Sequence, residues 1–185
     1  MRQAVLLALT INLFFLSACS GVREKQESFS AWREGYLSTE NHVIKAKVSQ
    51  SGQGAESFGL IYTLSEGKQT VEITEPETLA GIRAGIAEEG AELCYEGLIF
   101  AVGAAGEKYS PMTALPLFHQ AVTQGGLSLV WTEKTAQEEL LAGRLQLADG
   151  GTVTVYLAEN GTKPVFAAIS QEERVILKIE LQEMT

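Results

Sequence analysis

After Glu40 the chain alternates apolar and polar residues with period two, run after run, a pattern that suits antiparallel strands burying one face. Leu60, Tyr62 and Leu64 alternate with Ile61, Thr63 and Ser65, and Val71 and Ile73 with Glu72 and Thr74. Leu127, Leu129 and Trp131 follow, then Leu145 and Leu147, then Val153, Val155 and Leu157. The last runs are Val165, Ala167 and Ile169, and Val175, Leu177, Ile179 and Leu181 set against Lys178, Glu180 and Gln182. Asn160-Gly161 is the strongest turn signal between them, because both central positions of a type I′ turn need positive φ. Asp149-Gly150-Gly151, Glu66-Gly67 and Gly52-Gln53-Gly54 add further punctuation, and Glu88-Glu89 and Glu172-Glu173 read as solvated hairpin tips. The expectation is a mainly β, α+β domain built as a meander.

Two segments break the period. Phe29, Trp32 and Tyr36 stand at helical spacing and predict a short N-terminal helix whose aromatics pack on the sheet. From Ser110 to Gly126 the chain offers a cap residue, Pro111 at the first helical position, and a glycine stop, with Met112, Leu115, Phe118 and Val122 on one face. Pro116 means either a kinked helix or a short turn handing over to a second helix. Either way an apolar helix in mid-meander has to cover the sheet's apolar face. Lys134 to Leu141 reads as a loop entering a strand at Leu140 to Leu147.

The first residues carry an address. One cation, Arg2, precedes an apolar run from Ala4 to Phe15, and Leu16-Ser17-Ala18-Cys19 matches the bacterial lipobox, in which the cysteine sulfur carries diacylglycerol. Residues 1–18 are therefore expected to be a lipoprotein signal, 19–28 the lipidated Cys19 and a polar flexible tether, and 29–185 a single domain. The protein is then exported and lipid-anchored to the envelope membrane, outside the cytoplasm. Anchoring rests on acyl chains, each buried methylene contributing about 0.8 kcal/mol. With 14 basic and 23 acidic residues the formal charge is −9, and loss of Arg2 takes it to −10. Such a surface repels nucleic acid and anionic headgroups.

Catalytic chemistry finds little purchase. A serine or cysteine nucleophile needs a base, yet His42 and His119 read as surface or packing residues. Cys94, the sole thiol after Cys19, lies in an apolar strand and reads as inert, which also rules out an internal disulfide framework. Two distant histidines and one thiol build no recognisable metal motif, and no glycine run follows a phosphate-cradling order. The expectation is a non-enzyme with no catalytic residue, no metal and no cofactor beyond the lipid on Cys19. Periodicity alone leaves open whether the sheet closes on a packed core or on a cavity under the mid-chain helix.

Ile73-Thr-Glu-Pro-Glu-Thr-Leu-Ala-Gly-Ile82, Leu93-Cys-Tyr-Glu-Gly-Leu98 and Ser110-Pro-Met-Thr-Ala-Leu-Pro116, read with the strand order, resemble the superfamily of lipoprotein-localisation carriers (LolA-, LolB- and LppX-like). Within it they look like the small clostridial-type envelope lipoproteins, some connected with spore germination. The resemblance implies an antiparallel unclosed half-barrel with an N-terminal helix and a helical lid inserted mid-sheet. Its concave apolar face would hold acyl chains or a lipidated protein, with Val71, Ile73, Ile82, Phe100, Leu115, Phe118 and Val155 as candidate lining. This reading predicts a dry, elongated cavity behind Met112 to Val122, and a solid core there counts against it. A chain fixed at Cys19 cannot ferry cargo alone, so a receiver or local lipid-handling factor fits better. The alternative is a non-catalytic scaffold for an envelope protein partner, such as a cell-wall enzyme, which predicts an exposed aromatic or apolar patch instead of a cavity.

Overall fold

The computed structural model describes residues 21–52, 56–87, 90–95, 98–102, 109–158 and 161–185, apart from the side chains of 87, 90, 91 and 98–102. The signal segment and Cys19 lie outside these residues. Helix α1 occupies 21–37 of the described chain. Six strands follow: β1 His42–Gln50, β2 Ser57–Ser65, β3 Lys68–Glu75, β4 Arg83–Ala87, β5 Gly90–Tyr95 and β6 Leu98–Val102. After helix α2, Pro111–Gln124, come β7 Gly126–Lys134, β8 Glu139–Gln146, β9 Thr152–Ala158, β10 Lys163–Gln171 and β11 Arg174–Met184.

The strands form one open antiparallel sheet in the order β6-β5-β4-β3-β2-β1-β11-β10-β9-β8-β7. The meander is thus two meanders. The chain starts at the middle of the sheet, walks out to the β6 edge, and re-enters at the opposite β7 edge after α2. It then walks back until β11 pairs with β1, placing Val48 opposite Ile179. This long-range closure lets a single helix lie across both arms: α2 packs on β1, β2 and β3 and on β8 through β11.

Alternation places Ile44, Ala46 and Val48 of β1 with Leu60 and Tyr62 of β2, and Val71 and Ile73 of β3, on the concave side, all buried. Val153, Val155, Leu157, Ile169, Leu177 and Ile179 do the same in the other arm. On β7 the expected face is corrected. A register shift between Leu127 and Leu129 reverses the alternation, so Val130 turns inward at 8% exposure while Leu129 is 50% exposed. A bulge inserts one unpaired residue, and with a side-chain period of two every later residue changes face.

Two other expectations are modified. Residues 21–28, read as a flexible tether, are helical and mostly exposed, continuing α1 upstream of its aromatics, with Arg23 and Glu27 paired at 2.8 Å. The i,i+4 spacing of opposite charges favours helix in a polar segment. The Asn160-Gly161 hairpin is not a two-residue turn: β9 and β10 are joined by residues 159–162, and the Thr162 N–H donates to the Ala158 carbonyl at 3.2 Å. Gly161 keeps the positive φ, 89°, that the sequence called for, and Asn160 lies outside the described residues.

Glu66-Gly67 and Glu172-Glu173 do form two-residue turns, with φ of 52° and 75° in the first and 49° and 64° in the second. Left-handed backbone costs a non-glycine L-residue roughly 1–2 kcal/mol. Replacing Glu172-Glu173 by Asn-Gly is therefore expected to stabilise the fold by about 1–2 kcal/mol, read as a higher denaturation midpoint.

Candidate functional site

The concave face is occupied by the two helices. From α1 come Phe29, Trp32 and Tyr36, with ring centroids 5.3 Å and 6.2 Å apart in sequence. Phe29 has no accessible surface and lies against β8 where Gly143 leaves room: a Cβ there would sit 2.2 Å from the ring. Leu115, Leu117, Phe118, Ala121 and Val122 of α2 are buried with them in one cluster.

Helix α2 is a single helix that runs through Pro116. At its start the Ser110 N–H donates to Thr113 Oγ1 at 3.0 Å. Its last turn carries no basic residue. The cation that meets its exposed carbonyls comes from α1 instead: Arg33 Nε donates to the Val122 carbonyl at 2.6 Å and Nη2 to the Gly125 carbonyl at 2.8 Å. A positive charge at a helix C-terminus is favoured by the helix dipole and by orphan carbonyls. Arg33 thus ties the two helices together.

Of the candidate lining residues, Val71, Ile73, Leu115, Phe118 and Val155 are brought into this cluster, with exposures of 0, 6, 0, 0 and 0%. A void large enough for water would leave accessible surface on its walls, so no such void touches Val71, Leu115, Phe118 or Val155, and packed core stands at these residues where a cavity behind α2 was expected. Ile82 is only partly buried, and Phe100 stands on β6 with its side chain outside the described residues. The apolar face opens farther out. Leu64, Ile82, Ile86 and Met112 are partly buried against the cluster, beside Ala84 at 7% exposure. Register carries the same face outward from Tyr62 to Val71, Ala84 and Leu93. These positions give the concave side of the β3–β5 arm an apolar trough, partly open to solvent, with sealed core at its inner end.

Sequence reading missed a polar cluster at the other side of α2. His42 and His119 have ring centroids 5.6 Å apart, with Tyr36 stacked on His42 at 4.1 Å and 10° and Tyr62 at 5.7 Å from His119. Tyr36 Oη lies 2.8 Å from His119 Nδ1. His42 is 4% exposed, and the buried Tyr62 hydroxyl has no hydrogen-bond partner among the described residues. Burial lowers both histidine pKa values, for His119 with help from His42, and the same burial raises Tyr36 and Tyr62. Tyr36 and His42 also line a cleft of about 590 Å³ between α1, Gly161-Thr162 and the end of β11. No local motif marks these residues; only the fold brings both histidines together.

Among the described residues no group of three or more His, Cys, Asp or Glu side chains is placed to hold a metal ion, and no helix is long and apolar enough to cross a membrane. Cys94 is a free, partly buried thiol.

No family model matches the sequence, and no curated protein matches it. Solved structures do. A DUF1329 family protein from Desulfovibrio piger superposes with a TM-score of 0.50 at 9% identity, covering 88% of this chain and 92% of that one. A LolA superfamily protein from Nitrosomonas europaea gives 0.44 at 10% identity, covering 86% and 92%. The lipoprotein LppX of Mycobacterium tuberculosis gives 0.43 at 13%, covering 86% and 92%. An open antiparallel sheet with two helices in its concave face is an unclosed half-barrel, a fold shared along most of both chains with the DUF1329 family protein.

Proposed function

We propose that this is an envelope lipoprotein, held at the membrane by diacylglycerol on Cys19, that binds an acyl chain or a lipidated protein in the trough on its β3–β5 arm. The observation that carries this reading is the continuation of the apolar concave face past α2, where Leu64, Ile82, Ile86 and Met112 remain partly open to solvent. Apolar surface left in a concavity gains on covering, at about 25 cal/mol per Å², and an acyl chain supplies cover without directional bonds. The binding needs no catalytic group. A long chain would have to lift α2, since Leu115 and Phe118 are sealed; the trough is the entrance and α2 the lid.

A second reading, a scaffold for an envelope protein partner, draws on the convex face. There Trp131, Tyr156 and Phe166 form an aromatic ladder with centroid spacings of 6.4 and 5.3 Å.

Native mass spectrometry on the chain from residue 21 onward, purified without detergent, separates the two. Near-stoichiometric lipid, lost in Ile86→Asp but kept in a control Leu129→Asp on the convex side, is the expected result. A folded, lipid-free protein, to which added fatty acid also fails to bind, would refute the acyl-chain reading and favour the scaffold.

A further inference from the structure

Helix α2 is held at one end by Arg33 and in its middle by His119, which meets a residue from each of three other elements: Tyr36 of α1, His42 of β1 and Tyr62 of β2. This is a polar seam in an otherwise apolar packing of lid on sheet. We propose that the His42–His119 pair, with Tyr36 and Tyr62, is a proton-operated latch: neutral, it holds α2 on the sheet; protonated, it releases α2. The proposal rests on the reading of α2 as a lid and gives that lid a trigger.

The geometry disfavours a proton in the closed state at both rings. With the Tyr36 hydroxyl as donor, the acceptor is Nδ1 of His119, which places the neutral ring's own proton on Nε2; this tautomer is assigned from the 2.8 Å contact. An added proton would have to go on Nδ1, the atom that already accepts the Tyr36 bond. The Tyr36 hydroxyl would lose its acceptor, beside a buried Tyr62 hydroxyl that has no partner among the described residues. Protonation at His42 puts a cation 5.6 Å from the His119 ring and against the face of Tyr36. The aromatic face offers some compensation, but burial removes more hydration than one ring face returns.

The groups that face the pair from α1, β2 and α2 supply no counter-charge. On α1 they are Tyr36 and, one turn earlier, Arg33, whose guanidinium is engaged with the α2 carbonyls. On β2 the facing group is Tyr62, and α2 bears no acidic or basic residue besides His119. After α1, the Thr39 backbone bonds His42, and Met184 and Thr185 flank His42 in the cleft. No carboxylate among the described residues contributes to the lowered pKa of either ring. The cleft bordered by Tyr36 and His42 gives solvent a route to the seam.

The sign follows from linkage. The closed state holds both histidines neutral below their ordinary pKa, while a released α2 returns them to about 6.5, so the released state binds more protons and gains as pH falls below that value. From pH 7.5 to 5.5 each histidine shifts the opening equilibrium by up to about tenfold.

The test is amide hydrogen exchange on the full-length protein in lipid nanodiscs, corrected for the chemical exchange rate, which reads lid opening whether or not lipid binds the trough. Between pH 7.5 and 5.5 the amides of α2 are expected to exchange ten- to a hundredfold faster while those of β8–β10 hold steady. His119→Asn, which keeps an acceptor and takes no proton, should lose about tenfold of that response; His42→Gln, a milder change at the strand start, should lose a similar share and serves if His119→Asn does not fold. Exchange in α2 that ignores pH, that rises equally in β8–β10, or that keeps its full response in both variants would overturn the latch. A lipid-free protein that still shows the α2-specific response would retain the latch while the acyl-chain reading falls.

Discussion

Gly143→Ala is expected to cost about 3 kcal/mol or more of stability, an unusually large loss for one added methyl group. The new Cβ would lie 2.2, 2.3 and 2.5 Å from three carbons of the Phe29 ring, closer than real Cβ contacts come. The ring is rigid and fully buried between α1 and β8, so it cannot swing a flexible end aside. Either α1 lifts or Phe29 leaves its site, and forfeiting a buried phenylalanine costs roughly 3–5 kcal/mol. The double variant Phe29→Ala/Gly143→Ala should then be no less stable than Phe29→Ala alone, since the added methyl enters space the ring has left. Chemical denaturation of the four proteins closes the cycle; additive losses would show that the ring and the strand do not meet in this way.

Phe118→Ala is expected to cost about 3–5 kcal/mol, with the loss concentrated in α2. Phe118 has no accessible surface, stands edge-on to Tyr36 at 6.2 Å and 87°, and lies in the cluster that joins both arms of the sheet. Removing it empties the middle of α2's contact face while Arg33 and the polar seam remain. Amide exchange should show α2 losing protection more than β9 and β10. An even loss throughout would mean that α2 and the sheet open only as one unit.

What the sequence made legible follows from which interactions are local. The alternation of Leu60 with Tyr62, or of Leu177 with Ile179, states directly which side chains share a buried face, because a strand's period is fixed by its backbone. Phe29, Trp32 and Tyr36 announced a helix and its inner stripe in the same way, and Glu172-Glu173 was a hairpin tip as its polarity implied. The bulge near Ser128 was hidden, because an inserted residue changes the phase without changing composition. The two-arm strand order was hidden as well: β11 finds β1 across the length of the chain, and neither strand encodes the other's position. The resemblance supplied the half-barrel that periodicity left open. It did not supply the sealed state of Leu115, Phe118 and Val155, which depends on how far the α1 aromatics reach. Arg33 on the end of α2, and the meeting of His42 with His119, are contacts between distant segments that no spacing rule finds.

The measurement that bears most directly on the proposed function is photo-crosslinking with a fatty acid that carries a diazirine in mid-chain, followed by peptide mapping. Adducts are expected on Ile82, Ile86 and Met112, extending to Ile73 or Leu115 as pH is lowered and α2 loosens. Adducts confined to Trp131, Tyr156 and Phe166 on the convex face, or none at saturating probe, would contradict an acyl-binding trough.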